Sequence, residues 1–220
     1  MLRKVSKPLN RKSLLRAVRL LAARDRTLAT IVSAFGPPPL WEREQGFHTL
    51  VHIILEQQVS LASARAAFNR LVAATQPLTP QSFMKLTDTE LKVIGFSRQK
   101  TLYGRHLAEA IEQGDLDLTA LNRLDDAEAK SRLIRIKGIG SWTADIYLLM
   151  AMRRPDVWPS GDLALAVAVE RVKKMPRRPS PQELGALSRK WHPWRAVAAR
   201  ILWHFYLSHA RPINYQSKRN

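Results

Sequence analysis

The chain contains no cysteine. That excludes disulfides, zinc held by thiolates and thiolate-bound iron–sulfur clusters, and it fits a reducing cell interior. No apolar run approaches the roughly 18 residues that a membrane-spanning helix needs. Strand-like alternation, internal repeats and low-complexity tracts are also missing, so neither a sheet nor a solenoid is expected. The six histidines (His48, His52, His106, His192, His204 and His209) show no metal-ligand spacing. Acids are scarce: 18 Asp and Glu stand against 36 Lys and Arg, a formal net charge of +18.

The 220 residues are 45% hydrophobic, enough for one large domain or two small ones sharing a core. The charge favours a polyanionic partner, with nucleic acid ahead of membrane. A ribosome-associated or simply soluble basic protein is the plainer reading of the same numbers. Arg3, Lys4, Lys7, Arg11, Lys12, Arg16, Arg19 and Arg24 all precede the first acid, Asp25. This resembles a targeting segment, but Leu14, Leu15, Val18, Leu21 and Ala22 form a helical stripe. An ordinary first helix with a basic face is the preferred reading.

Punctuation divides the chain into about ten helices, an all-α protein. The first covers residues 11–24, and Asp25 caps a second that runs to Gly36 before Pro37-Pro38-Pro39. Phe47, Leu50, Val51 and Ile54 mark a helix over 46–56. It breaks at Gln57-Gln58-Val59 and resumes after Ser60, an N-cap, over 62–74. Residues 77–80 read as a loop. Thr87-x-x-Glu90 is a capping box closed by Gly95, and Ser97 caps a longer helix ending at Gly114. Asp125-x-x-Glu128 opens a helix into a hairpin at 137–140, and Ser141 is expected to cap the next, 142–152. A loop over 155–161 leads to Asp162 at a helix start. Ser180-Pro181-x-Glu183 opens another helix, and Pro193 is expected to start the last. The tail from Arg211 is basic and expected to fray.

The stretch 133–165 organises the rest. Gly138 and Gly140 sit two apart in apolar surroundings, and a Gly-x-Gly turn aimed at a helix start offers backbone N–H groups to a phosphate. A plain helix–helix turn is the competing reading. Asp162 follows just beyond, as a helix N-cap, a group doing chemistry on the phosphate's owner, or both.

Four ordered blocks carry a family resemblance: GFHTLVHIILEQQVSLASA, VIGFSRQKTLYGRHLAEAI, KGIGSWTADIYLLMAMRRPDVWPSGDLAL and KWHPWRAVAARILWHFY. Together they cover most of 47–206. They resemble the helix-hairpin-helix–GPD superfamily of DNA glycosylases, in its 3-methyladenine DNA glycosylase II branch. The resemblance implies one two-lobed glycosylase domain over 1–220 with an interlobe cleft. The hairpin lies at 133–152 and the catalytic loop at 153–165. One lobe spans about 45–155, and the N- and C-terminal helices form the other. A short form is expected, without the N-terminal β domain or the four-cysteine cluster of some relatives. Relatives with lyase activity carry a lysine two positions past the second hairpin glycine. Trp142 stands there, so the resemblance implies a monofunctional glycosylase, with a bifunctional enzyme or a non-catalytic DNA-binding module as alternatives.

The same resemblance implies site roles. Asp162 would stabilise the oxocarbenium-like sugar and orient water, while Asp145 is read as a structural partner and Asp156 as a weaker competitor. Lys137, Gly138, Gly140, Ser141 and Thr143 would meet DNA phosphates, and hairpin carbonyls could hold a monovalent cation; no other cofactor is expected. The Gln57-Gln58 turn would fill the gap left by a flipped nucleotide, with Gln58 as the wedge. Ser97, Arg98 and Lys100 form a second phosphate-contact candidate. Trp142 and Trp203 would attract a cationic alkylated base. Ile146 and Leu163 stand where some relatives have tyrosines. Trp191, Pro193 and Trp194 read as structural. The expected partner is duplex DNA carrying alkylated bases, 3-methyladenine by default, met by a monomer in the cytoplasm or nucleoid.

Overall fold

The structure, a computed structural model, describes residues 5–210. Arg3, Lys4 and the tail from Arg211 lie outside the described residues. The helices are α1 (Arg11–Arg24), α2 (Arg26–Phe35), α3 (Phe47–Glu56), α4 (Leu61–Thr75), α5 (Pro80–Met84), α6 (Asp88–Ile94), α7 (Arg98–Glu112), α8 (Asp126–Ile134), α9 (Ser141–Met150), α10 (Leu163–Val172), α11 (Pro181–Ser188) and α12 (Arg195–Ala210). Ala120–Arg123 and Arg189–Trp191 form short 3-10 turns. Among the described residues there is no strand.

Helix starts follow local chemistry. Asp25, Ser60, Ser97 and Asp125 accept backbone N–H groups of the turns they open. Thr87 with Glu90, and Ser180 with Glu183, close reciprocal capping boxes. Three expectations are corrected. Ser141 is the first residue of α9, not its cap; Gly140 is the cap and supplies no side chain. That helix ends at Met150 because the chain folds back, the Met152 N–H reaching Tyr147 O and the Arg154 N–H reaching Leu148 O. Pro193 does not start α12: the 3-10 turn ending at Trp191 intervenes, and the helix begins at Arg195.

The chain divides into two compact units, Met1–Pro8 with Trp41–Pro159, and Leu9–Leu40 with Ser160–Asn220. In the first, α3 packs against α4, α7 and α9. Its Leu50, Val51, Ile53, Ile54 and Leu55 are buried, so this helix is apolar nearly all round. In the second, α12 packs against α1, α2 and α10, and Ala196, Ala198 and Ala199 let these axes approach closely. Arg200 is fully buried there. Its guanidinium donates to Leu40 O at 2.8 Å and Ala196 O at 3.1 Å, and burial pulls its pKa down to about 10.

Candidate functional site

The hairpin lies in the first unit, between α8 and α9. Ile136 and Ile139 are buried and anchor it, and the Ile139 N–H donates to Ile136 O at 2.9 Å. The two glycines differ. Gly138 has φ +96, and a Cβ there would overlap the Tyr103 ring of α7. Gly140 has φ −82 and ψ 178, and nothing lies within 4 Å of a Cβ placed on it. Of the two hairpin glycines, only Gly138 takes a left-handed dihedral. Gly140 presents open space, and no side chain caps the first turn of α9. Lys137 and Ser141 are exposed beside it, and Trp142 is half-buried.

The Gln57-Gln58 turn follows α3. A bidentate ion pair holds its end, with Arg43 Nη2 at 2.7 Å from Glu56 Oε1 and Nη1 at 3.1 Å from Oε2. Gln58 is exposed at φ +57, a region that a residue with a Cβ enters at a cost of about 1–2 kcal/mol. Val59 and Leu61 are exposed next to it, 46% and 62% respectively. Gln57 turns inward: its Nε2 donates to Gly138 O at 3.0 Å and to Thr143 Oγ1 at 2.9 Å. Thr143 is only 1% exposed. The side chains of Gln57 and Thr143 thus join the turn after α3 to the hairpin, which narrows the expectation that both face DNA.

Lys100 is also redirected. Its Nζ donates to Leu55 O at 2.7 Å, and burial lowers its pKa. The ammonium satisfies an orphan carbonyl at the negative end of α3. Ser97 accepts the Lys100 N–H at 3.2 Å, and Arg98 is exposed in the same turn.

Asp162 lies in the second unit as the N-cap of α10, 7% exposed. Its Oδ1 accepts the Leu165 N–H at 2.8 Å and the Trp203 Nε1–H at 3.1 Å. The carboxylate is held in place by a helix start and an indole. Trp203 is buried, and its indole N–H orients Asp162, a contact sequence spacing did not foretell. Leu163, the next residue, is 63% exposed.

Asp145 is buried with Lys130 Nζ at 2.7 Å from its Oδ1 and 2.8 Å from its Oδ2. Asp156 is half-buried, and Ile146 is buried. Trp191 is buried and donates to Asp25 Oδ2 at 2.9 Å. His52 stacks on Phe68, and His204 and His209 pack against Phe35. Among the described residues no three His, Cys, Asp or Glu gather as metal ligands, and no helix is long and apolar enough to cross a membrane. Sequence reasoning also missed Tyr103, whose place under Gly138 has no local signature, and Tyr147, whose hydroxyl accepts the Gly46 N–H at 3.1 Å.

Residues 51–193 match the family described as HhH-GPD superfamily base excision DNA repair protein. The chain is 28% identical to DNA-3-methyladenine glycosylase 1 of Schizosaccharomyces pombe over 182 residues, 81% of this chain and 80% of that protein. It is 28% identical to DNA-3-methyladenine glycosylase of Bacillus subtilis over 169 residues, 71% of this chain, and so spans 56% of that relative's length. The fold superposes on the S. pombe 3-methyladenine DNA glycosylase in complex with abasic DNA with a TM-score of 0.80 at 25% identity, covering 92% of this chain and 100% of that one. Family match, shared fold and the hairpin leading to a buried aspartate agree: the chain belongs to the HhH-GPD superfamily of base excision DNA repair proteins.

Proposed function

We propose that the protein is a monofunctional DNA glycosylase that excises alkylated bases, such as 3-methyladenine, from duplex DNA. The observation that carries this reading is Asp162, a buried carboxylate aimed by the Trp203 indole and a helix start in a chain of this family. In the reaction the C1′–N bond breaks and its electron pair leaves with the base. The sugar becomes oxocarbenium-like, and water adds at C1′ and loses a proton, giving an abasic site. The Asp162 carboxylate opposes the positive charge on the sugar and orients that water. An alkylated base already carries positive charge and leaves readily, so one carboxylate suffices.

The hairpin supplies the grip. The start of α9, which has no side-chain cap, and the open space at Gly140 suit a DNA phosphate, with Lys137, Ser141, Ser97 and Arg98 exposed to add to it. Gln58 fills the gap of the flipped nucleotide, and Val59 and Leu61 add apolar surface beside it. Trp142 offers a ring face to a cationic base and no amine for a Schiff base. A monovalent cation would meet a hairpin where Ile136 O and Gly138 O each accept one N–H and keep a second lone pair; no step depends on it. The protein acts as a monomer.

Asp162→Asn tests the reading, because Asn keeps an oxygen for Leu165 and Trp203 but removes the charge. Release of methylated bases from alkylated duplex should fall by about 100-fold or more, with DNA affinity and melting temperature retained. Undiminished release by the folded variant sinks the proposal. Borohydride should trap no covalent protein–DNA adduct.

A further inference from the structure

Three mutually packed helices of the second unit, α1, α2 and α12, have 14, 10 and 16 residues and contain no acidic residue. Arg11, Lys12, Arg16, Arg19 and Arg24 of α1 and Arg26 of α2 are all exposed. Among the described residues none of the six forms an ion pair. The nearest acid in sequence, Asp25, is buried. Its carboxylate is occupied by Lys190 Nζ at 2.6 Å and the Trp191 indole, so it does not neutralise this surface.

The arrangement is directional. Leu14, Ala17, Val18 and Leu21 fix the buried side of α1. At about 100° per residue, Lys12, Arg16 and Arg19 then share a narrow arc on the opposite side. At about 1.5 Å per residue they span roughly 10 Å, the axial length of about three base pairs. A single-sign surface of this size raises the self-repulsion of the free protein and is relieved by a polyanion. A membrane suits it poorly: the apolar side of α1, Leu14, Ala17, Val18 and Leu21, is buried in the core, so the helix that carries the basic arc has no apolar face to insert.

We propose that the Lys12–Arg16–Arg19 face of α1 is a second DNA-backbone contact surface, separate in sequence and in unit from the hairpin, that grips duplex phosphates without regard to sequence. The proposal rests on the reading that this chain works on duplex DNA. It provides a surface for holding undamaged DNA before any lesion is met.

The test is the salt dependence of binding to an undamaged duplex, comparing the intact chain with K12Q/R16Q/R19Q. Each phosphate contact contributes about 0.9 to the slope of log affinity against log salt, so the slope should shrink by about 2 to 3. A variant slope and affinity equal to the parent's overturn the proposal. So does loss of binding to phosphatidylserine vesicles with an unchanged DNA slope. If the triple variant misfolds, the three single substitutions decide, each shrinking the slope by about 0.9 or, if none does, overturning the surface. Base release by the parent from alkylated duplex is measured separately. Its absence sinks the catalytic reading and leaves the slope comparison intact.

Discussion

Gly138 and Gly140 show how two identical residues carry opposite constraints. Gly138 is required by the protein itself, through φ +96 and the Tyr103 ring against its α-carbon. Gly140 is under no internal demand, with an extended backbone and empty space around it. Gly138→Ala should therefore lower stability by about 2–4 kcal/mol, seen as reduced melting temperature. Gly140→Ala should change stability by less than about 1 kcal/mol. It should nonetheless weaken duplex binding by about tenfold, read by fluorescence anisotropy, because a methyl group occupies the approach to the α9 N–H groups. Equal effects of the two substitutions on both readouts would contradict the assignment. The pair was legible in the sequence as a hairpin. The difference was not, because it comes from a tyrosine on another helix.

Element boundaries were the most legible feature, because a cap is local chemistry. Asp25 is the clearest case. It caps α2 by accepting the Thr27 and Leu28 N–H groups, at 2.9 and 3.3 Å, and it binds Lys190 and Trp191 from the far end of the chain. Burial pushes its pKa up, but the Lys190 and Trp191 hydrogen bonds outweigh this and hold it at about 2 against an ordinary 3.8. A depressed carboxylate contributes stability above its unfolded pKa and loses it as pH falls through the folded value. Asp25→Asn should thus melt about 2–4 °C below the parent near neutral pH, for about 1 kcal/mol after screening. The gap should close as pH falls from about 4 towards 2. A gap independent of pH would assign the loss to packing alone. The start of α9 was misread for a physical reason: serine is a good cap, but the chain places glycine there and leaves the turn without a side-chain cap.

At the scale of the molecule, charge dominates. With +18 on 220 residues, affinity for undamaged duplex should fall at least about tenfold between roughly 50 and 200 mM salt. A flat salt response in equilibrium binding would show that the charge serves another partner. The cations are not uniformly spread: α1, α2 and α12 hold no carboxylate, while α6 and α8 carry acids in their first turns. Helices from both ends of the chain share one core around α12, so the acid-free surface brings together segments far apart in sequence.

Composition, punctuation and spacing determined the helical class, nearly every helix start, the hairpin, the interrupted turn at Gln57-Gln58 and the position of Asp162. These rest on local interactions, in which a cap, a proline or a glycine acts on its own turn. Tertiary structure decided what each side chain does there. It turned Gln57 inward to Gly138 and Thr143, sent Lys100 to the end of α3, put Tyr103 under Gly138 and gave Trp203's indole to Asp162. None of these contacts has a sequence period, because each depends on which helices pack together.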